Sequence, residues 1–196
     1  NNPTFYLTAK DQENFDPILQ INQLNFPAGE RFKYSNPAFN GLALIIEQVA
    51  QQPWQQFIHE QIFQPAGMIQ SKITNGPNPQ TGVAHAYVSN GGKYTERDYG
   101  EEPTFAAAGN GGIWCSILDL ANYETAIQQH LFANENTIQL SRQIFHPNNW
   151  KNKENPAGIG CSWFIKEKDN PTNAYGVNIY SHTGSQGGFR SFYIAI

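Results

Sequence analysis

Three short stretches of this 196-residue chain concentrate side chains able to move protons or hold polar groups. The first is Pro27-Ala28-Gly29-Glu30-Arg31-Phe32-Lys33-Tyr34-Ser35-Asn36, followed by its apolar helix and, further on, by Pro65-Ala66-Gly67-Met68. The second is Ala107-Ala108-Gly109-Asn110-Gly111-Gly112-Ile113, with Ser116 and Asp119-Leu120-Ala121 behind it. The third is His182-Thr183-Gly184-Ser185-Gln186-Gly187-Gly188-Phe189, preceded by Gly158-Ile159-Gly160-Cys161-Ser162-Trp163. What these stretches lack narrows their chemistry. No phosphate-loop lysine follows the Gly109–Gly112 run, which argues against nucleotide binding. His59, His85, His130 and His146 have polar neighbours and no metal-ligand spacing. Cys115 and Cys161 form no zinc pattern and are read as two free, partly buried thiols.

Each chemical candidate also has a structural reading. Tyr34 has an alternative reading as a core or rim aromatic before a helix, and Asn36 as an N-cap alone. His182 has one as a strand residue with a satisfied ring, and Gly184 and Ser185 one as hairpin chemistry only.

The elements that must position them follow from pattern. Phe26-Pro27-Ala28-Gly29 predicts a loop. Beyond it, Phe39, Leu42, Ala43, Ile45, Ile46, Val49 and Ala50 recur at three- and four-residue steps, predicting a mostly buried helix of about four turns. Asn36 is expected as its N-cap, with Pro37 at the first helical position. A second helix is expected from Gln52-Pro53, with Trp54, Phe57, Ile58 and Ile62 on one face, ending at Pro65-Ala66-Gly67. From about 71 to 112 the chain reads as loop with short strands such as Val83 to Val88, a length more often functional than linking. Ser116 and Asp119 look like a capping box opening a helix that uses Ile117, Leu120, Ala121, Ile127 and Leu131, while 133–157 reads as polar loop. The last forty residues change character. Gly160 to Ile165, Tyr175 to Thr183 and Gly188 to Ile196 read as strands, the last two joined by a turn at Gly184-Ser185-Gln186-Gly187. The expected fold class is α+β, mostly helical and loop-rich over about 1–150 and antiparallel strands over about 151–196, together one partial domain. The apolar strand Ile194-Ala195-Ile196 would leave an open hydrophobic edge, so a longer protein is expected.

Composition excludes several classes. The chain carries 12 Lys+Arg against 16 Asp+Glu, a formal net charge of −4, without a basic run; nucleic acid is not expected as a partner. Charged residues make up only 14%, and 21 Asn with 17 Gln supply most of the polarity, a weak electrostatic lure. No apolar stretch approaches the roughly 20 residues that span a bilayer. With 39% hydrophobic residues there is material for one real core.

In order and spacing, the three clusters closely resemble those of the class C β-lactamase and D-Ala-D-Ala carboxypeptidase family of serine hydrolases, over roughly residues 20–196. This penicillin-recognising family also includes esterases and D-amino-acid peptidases. The resemblance implies a β-lactamase/transpeptidase-like fold and attack by a serine on an acyl carbonyl to give an acyl-enzyme. It implies that Tyr34 shuttles the proton between nucleophile and leaving group, and that Asn36 holds the substrate amide. His182 stands where β-lactamases carry the lysine of Lys-Thr-Gly, placed to bind a substrate carboxylate or to feed protons to Tyr34. Thr183 and Gly184 complete that motif, and the Ser185 backbone N–H is implied as an oxyanion donor. The partner implied is a small-molecule or peptide substrate. No metal or organic cofactor is implied, and the location implied is extracytoplasmic, in the periplasm or envelope of a bacterium.

The chain departs from the family in one respect. None of its nine serines (Ser35, Ser71, Ser89, Ser116, Ser141, Ser162, Ser181, Ser185, Ser191) has lysine three residues later, and there is no Gly-x-Ser-x-Gly elbow. The nucleophilic Ser-x-x-Lys is therefore expected outside this sequence. Histidine in the lysine position resembles the peptidase and esterase members, favouring a small ester or D-amino-acid amide as substrate. The alternative is a non-catalytic homologue that binds a cell-wall peptide or a protein partner.

Overall fold

The computed structural model describes residues 10–74, 81–96, 107–149, 158–186 and 189–196. They fall into two compact units. The first comprises Asn1–Asn22, Ser35–Ala126 and Ser185–Phe189, the second Gln23–Tyr34, Ile127–Gly184 and Arg190–Ile196.

The first unit is built on three helices. Helix α1 (Asp11–Leu19) opens with the Glu13 carboxylate accepting from the Lys10 N–H at 3.0 Å, and Pro17 lies in its last turn. Helix α2 (Asn36–Ala50) starts one residue earlier than the sequence suggests: Ser35, not Asn36, is the N-cap, its Oγ accepting from the Ala38 N–H at 3.4 Å. Ser35 has the extended backbone a cap needs, whereas Asn36 is already helical and its exposed side chain is not spent on capping. The helix ends at Gln51 in the left-handed region. Its expected burial is only half met. Asn40, Gly41 and Ala43 are buried, but Leu42, Ile45 and Val49 are exposed, Val49 at 80%.

Helix α3 (Trp54–Ile58) passes through a π turn (His59–Phe63) into Gln64–Ala66, and Gly67, at φ 68°, stops it. Pro65 sits inside this last piece rather than ending it. In an unbroken α-helix, residues nine apart point about 180° away from each other. The extra residue of a π turn rotates Phe63 back towards the Trp54 side, and both are buried at 4% exposure. The core here gathers Ala43, Trp54 and Ala108, with Ile46, Ile58 and Ile73 packed on it.

Strand β1 (Lys72–Ile73) pairs antiparallel with β4 (Ile113–Trp114), and β2 (Tyr87–Asn90) with β3 (Lys93–Glu96). The strand expected from Val83 thus begins only at Tyr87. Ser116 Oγ accepts the Asp119 N–H at 3.1 Å to open α4 (Ile117–Gln128), as expected. The capping box does not close, however. The buried Asp119 carboxylate instead accepts from Ser71 Oγ at 2.7 Å and the Gln70 N–H at 3.0 Å. Ile117, expected to pack, is 85% exposed.

In the second unit, Asn134 caps a short helix α5 (Glu135–Ser141) inside the stretch read as loop, its Oδ1 accepting from the Thr137 N–H at 2.9 Å. A four-stranded sheet has the order β5 (Gly158–Ile159), β6 (Phe164–Lys166), β7 (Ile179–Gln186), β8 (Phe189–Ala195). Ile165, fully buried, centres this sheet, paired to Tyr180. Strand β7 runs through Gly184, Ser185 and Gln186, so those three are strand rather than turn; Gly187, the last residue of the expected turn, lies outside the described residues. Residues 75–80, 97–106 and 150–157 of the expected loops lie outside them as well.

Candidate active site

In the second unit the approach to Tyr34 begins with a turn. The Glu30 N–H donates to the Pro27 carbonyl at 3.2 Å, with Gly29 at φ 84°, a backbone state glycine adopts without steric cost. The chain then runs extended and is held at two points. The Phe32 N–H donates to Asn149 Oδ1 at 2.9 Å, and Asn149 Nδ2 returns a bond to the Phe32 carbonyl at 2.8 Å. A further bond, from the Asn148 N–H to the Glu30 carbonyl at 3.0 Å, extends the clamp.

This clamp carries Phe32 and Tyr34 to the sheet. Phe32 meets Phe164 of β6 edge-on, with ring centroids 6.2 Å apart at 78°. Phe164 in turn lies 5.4 Å from the His182 ring, tilted 32°. His182 lies 6.2 Å from the Tyr34 ring, tilted 37°. Four rings thus form a connected series within one unit, and the two proton-carrying candidates are neighbours in it. Tyr34 is 52% exposed, and His182 is half-buried on β7. Both are therefore held by packing and open to solvent.

The remaining candidates are placed as follows. Thr183 is exposed next to His182 along β7. Gly184 follows, and a Cβ there would meet Ser191 Oγ on β8, so a side chain at 184 would oblige that hydroxyl to turn aside. Ser185 is exposed on β7 and belongs to the first unit, as does Asn36 in the first turn of α2.

Behind Asn36, the first unit holds a buried polar cluster. Asp11 Oδ1 accepts from Asn40 Nδ2 at 2.6 Å and the Gly109 N–H at 2.8 Å, while Oδ2 accepts the Trp54 indole N–H at 3.0 Å. Asn40, completely buried, also donates to the Ala107 carbonyl at 3.1 Å and accepts from Asn14 and Asn110 at 2.6 and 3.1 Å. This cluster joins α1, α2 and the Ala107–Asn110 turn. Gly109 fits because a Cβ there would lie 2.8 Å from the Ala43 Cβ. The glycine run is thus a fixed, closely packed turn.

Both cysteines are free, as expected, and exposed as residues, although the Cys115 thiol itself is partly covered. Partial desolvation, and then the charge of Asp119, raise the Cys115 thiol above its ordinary value. Among the described residues no three His, Cys, Asp or Glu gather closely enough to hold a metal ion. Among them, too, no helix is long and apolar enough to cross a membrane.

The elements and the site together define an α+β protein whose sheet carries a His-Thr-Gly-Ser strand beside a tyrosine brought in by a preceding loop. The Beta-lactamase family model matches residues 3–196, and the chain belongs to that family. The fold is β-lactamase/transpeptidase-like, present as a partial domain. A penicillin-binding protein from Bacillus halodurans superposes with a TM-score of 0.75 at 22% identity, over 99% of this chain and 56% of its own. An octameric penicillin-binding protein homologue from Pyrococcus abyssi gives 0.75 at 22% identity, over 96% of this chain and 41% of its own. A D-stereospecific amidohydrolase from Streptomyces sp. gives 0.73 at 19% identity, over 98% and 55%. The chain therefore spans about half the length of the solved structures it resembles. No curated protein matches it significantly.

Sequence reasoning missed Phe32, Phe164 and Asn149, which set the surroundings of Tyr34 and His182. The Phe32-x-Tyr34 spacing was the available signal, since residues two apart on an extended segment share a side. It also missed the Asp11–Asn40 cluster. Nothing in an amide within an apolar helical pattern announces that it will be fully buried.

Proposed function

We propose that this chain is the part of a serine hydrolase that supplies proton transfer and substrate holding, acting on a small ester or D-amino-acid amide. The observation that carries this reading is the Tyr34–His182 ring pair at 6.2 Å, formed by residues far apart in sequence. The nucleophilic serine comes from polypeptide outside this sequence and attacks the acyl carbonyl to give an acyl-enzyme, which water resolves. Tyr34 takes the proton from the nucleophile and delivers it to the leaving amine or alcohol. A phenol ordinarily ionises near pH 10, so it needs a proton relay to work at neutral pH, and the neighbouring His182 imidazole is that relay. Asn36, free of capping duty, holds the substrate amide through its carboxamide. Thr183 and Gly184 line the approach along β7. The Ser185 backbone N–H donates to the oxyanion, an interaction worth about 3–4 kcal/mol in the transition state.

Membership of the family supports hydrolysis, and the amidohydrolase and D-amino acid amidase among the similar structures support an amide substrate. Family membership also favours an envelope location. The test is incubation of the whole protein with a fluorophosphonate, read by intact mass, followed by assays with D-phenylalaninamide, a short-chain aryl ester and a β-lactam. A covalent adduct with amide or ester turnover is expected. β-Lactam turnover far faster than either would overturn the substrate reading.

The absence of Ser-x-x-Lys from all nine serine positions favours one second reading, a homologue that binds a cell-wall peptide without cleaving it. No adduct on the whole protein, with retained binding of a D-Ala-D-Ala peptide, is its expected signature.

A further inference from the structure

We infer that Asn149 is a positioning residue for Tyr34, holding the phenol in place beside the His182 ring; the inference rests on the hydrolase reading above. The Asn149 carboxamide offers an acceptor and a donor, the same pair that a neighbouring strand offers. It spends both on one residue. The Phe32 N–H donates to Asn149 Oδ1 at 2.9 Å, and the Phe32 carbonyl accepts from Nδ2 at 2.8 Å. A single side chain therefore stands in for a strand partner. Tyr34 lies two residues further along the same segment, so fixing both polar groups of Phe32 limits where its ring can go.

Asn149 is itself anchored to the sheet that carries His182. Four residues before it, Phe145 exchanges both backbone bonds with Ile159 of β5, at 2.8 and 2.9 Å. Between them Pro147 is buried, and the Asn148 N–H donates to the Glu30 carbonyl at 3.0 Å. Within the sheet, Ile159 is paired with Phe164 of β6, and Phe164 with Ser181 of β7, the residue before His182. Tyr34 and His182 are thus the two ends of one path of paired backbone, which the Asn149 side chain completes. Every residue on that path belongs to the second unit.

The consequence falls on proton transfer rather than on binding. A phenol displaced from its relay leaves the substrate its other contacts, so kcat falls while KM changes little. Misplacing a reacting group by about 1 Å can cost roughly 100-fold. Asn149 is exposed, and the segment it clamps is also tied at Glu30, so its loss is expected to cost about tenfold. Because the effect runs through the phenol, it disappears when the hydroxyl is absent.

The experiment measures kcat and KM in the whole protein for D-phenylalaninamide and a short-chain aryl ester, with thermal midpoints alongside. On the better substrate, Asn149→Ala is expected to lower kcat about tenfold, with KM within about twofold. Asn149→Asp keeps the acceptor for the Phe32 N–H but loses the donor to its carbonyl, and is expected to fall between. In a Tyr34→Phe background, Asn149→Ala is expected to change kcat by less than about twofold, since no hydroxyl is left to position. Should Asn149→Ala fail to fold, Asn149→Asp carries the same comparison. A merely structural role would lower the thermal midpoint and cost as much in either background. Unchanged kcat in folded variants, a loss in KM alone, or an undiminished loss in the Tyr34→Phe background would each overturn the inference while leaving the hydrolase reading intact. A wild-type protein that hydrolyses neither substrate removes both.

Discussion

At the scale of single residues, Tyr34 and His182 are separable by substitution. Tyr34→Phe keeps a ring of the same size beside His182 and removes only the hydroxyl. The fold is expected to survive and kcat to fall at least 100-fold, the range over which a positioned proton-transfer group acts. A thermal midpoint within a few degrees of wild type, with kcat also unchanged, would dismiss Tyr34 as the proton carrier. Cys115 allows a different check. Its thiol is raised by partial desolvation and by Asp119, so less of it is thiolate at neutral pH than in an unstructured peptide. Alkylation by iodoacetamide at pH 7.5 is therefore expected to be slower in the folded chain than in urea, as read by mass spectrometry. The linkage has a definite sign. The folded state holds this proton more tightly than the unfolded chain does, so its contribution to stability is full below the ordinary thiol range and declines as pH rises through it.

At the scale of elements, the caps and the buried cluster decide where the site residues stand. Ser35→Ala removes the side-chain N-cap of α2 and is expected to cost about 1 kcal/mol in chemical denaturation. The same change at Asn36 is expected to cost little stability, because Asn36 caps nothing. Asp11→Ala is a far heavier loss, since it strands Asn40 Nδ2, the Trp54 indole N–H and the Gly109 N–H without their acceptor. With each buried unsatisfied donor costing about 1–3 kcal/mol, a total of at least 3 kcal/mol is expected. These elements also mark how far pattern carries. Helix α2 was legible because its apolar period runs unbroken over four turns, and β8 because β-branched and aromatic residues crowd the end of the chain; β6 begins only at Phe164, late in the stretch read as strand from Gly160, and β7 only at Ile179 rather than Tyr175. Helix α1 was hidden by Pro17 in its last turn, and α5 by asparagines that read equally well as loop. The Ser35–Asn36 choice lay beyond the sequence because both residues cap helices well; only backbone geometry separates them. Tyr34 and His182 were singled out through motif order, whereas their ring neighbours Phe32 and Phe164 were not. Those contacts arise from which strand and which loop come together in three dimensions, and no local pattern encodes that.

At the scale of the whole molecule, the apolar surface left uncovered is the informative quantity. Leu42, Ile45 and Val49 recur at three- and four-residue steps on one side of α2, and all are at least half exposed. On β8, Phe192 and Ile194 are exposed at 66% and 49%. Soluble monomers rarely leave contiguous apolar faces of this kind open to water, and each buried methylene returns about 0.8 kcal/mol. The chain also spans just 56% of the Bacillus halodurans protein that it superposes on. The 196 residues expressed by themselves are therefore expected to bind a hydrophobic dye strongly and to self-associate at tens of micromolar. They are also expected to take no fluorophosphonate, having no Ser-x-x-Lys. Replacing Leu42, Ile45 and Val49 together by glutamine is expected to lower dye binding and shift the sedimentation profile towards monomer, with the far-ultraviolet dichroism of the helices retained. A wild-type chain that is already monomeric and silent to the dye would mean that these faces are covered from within, and that the chain stands alone as a folded unit.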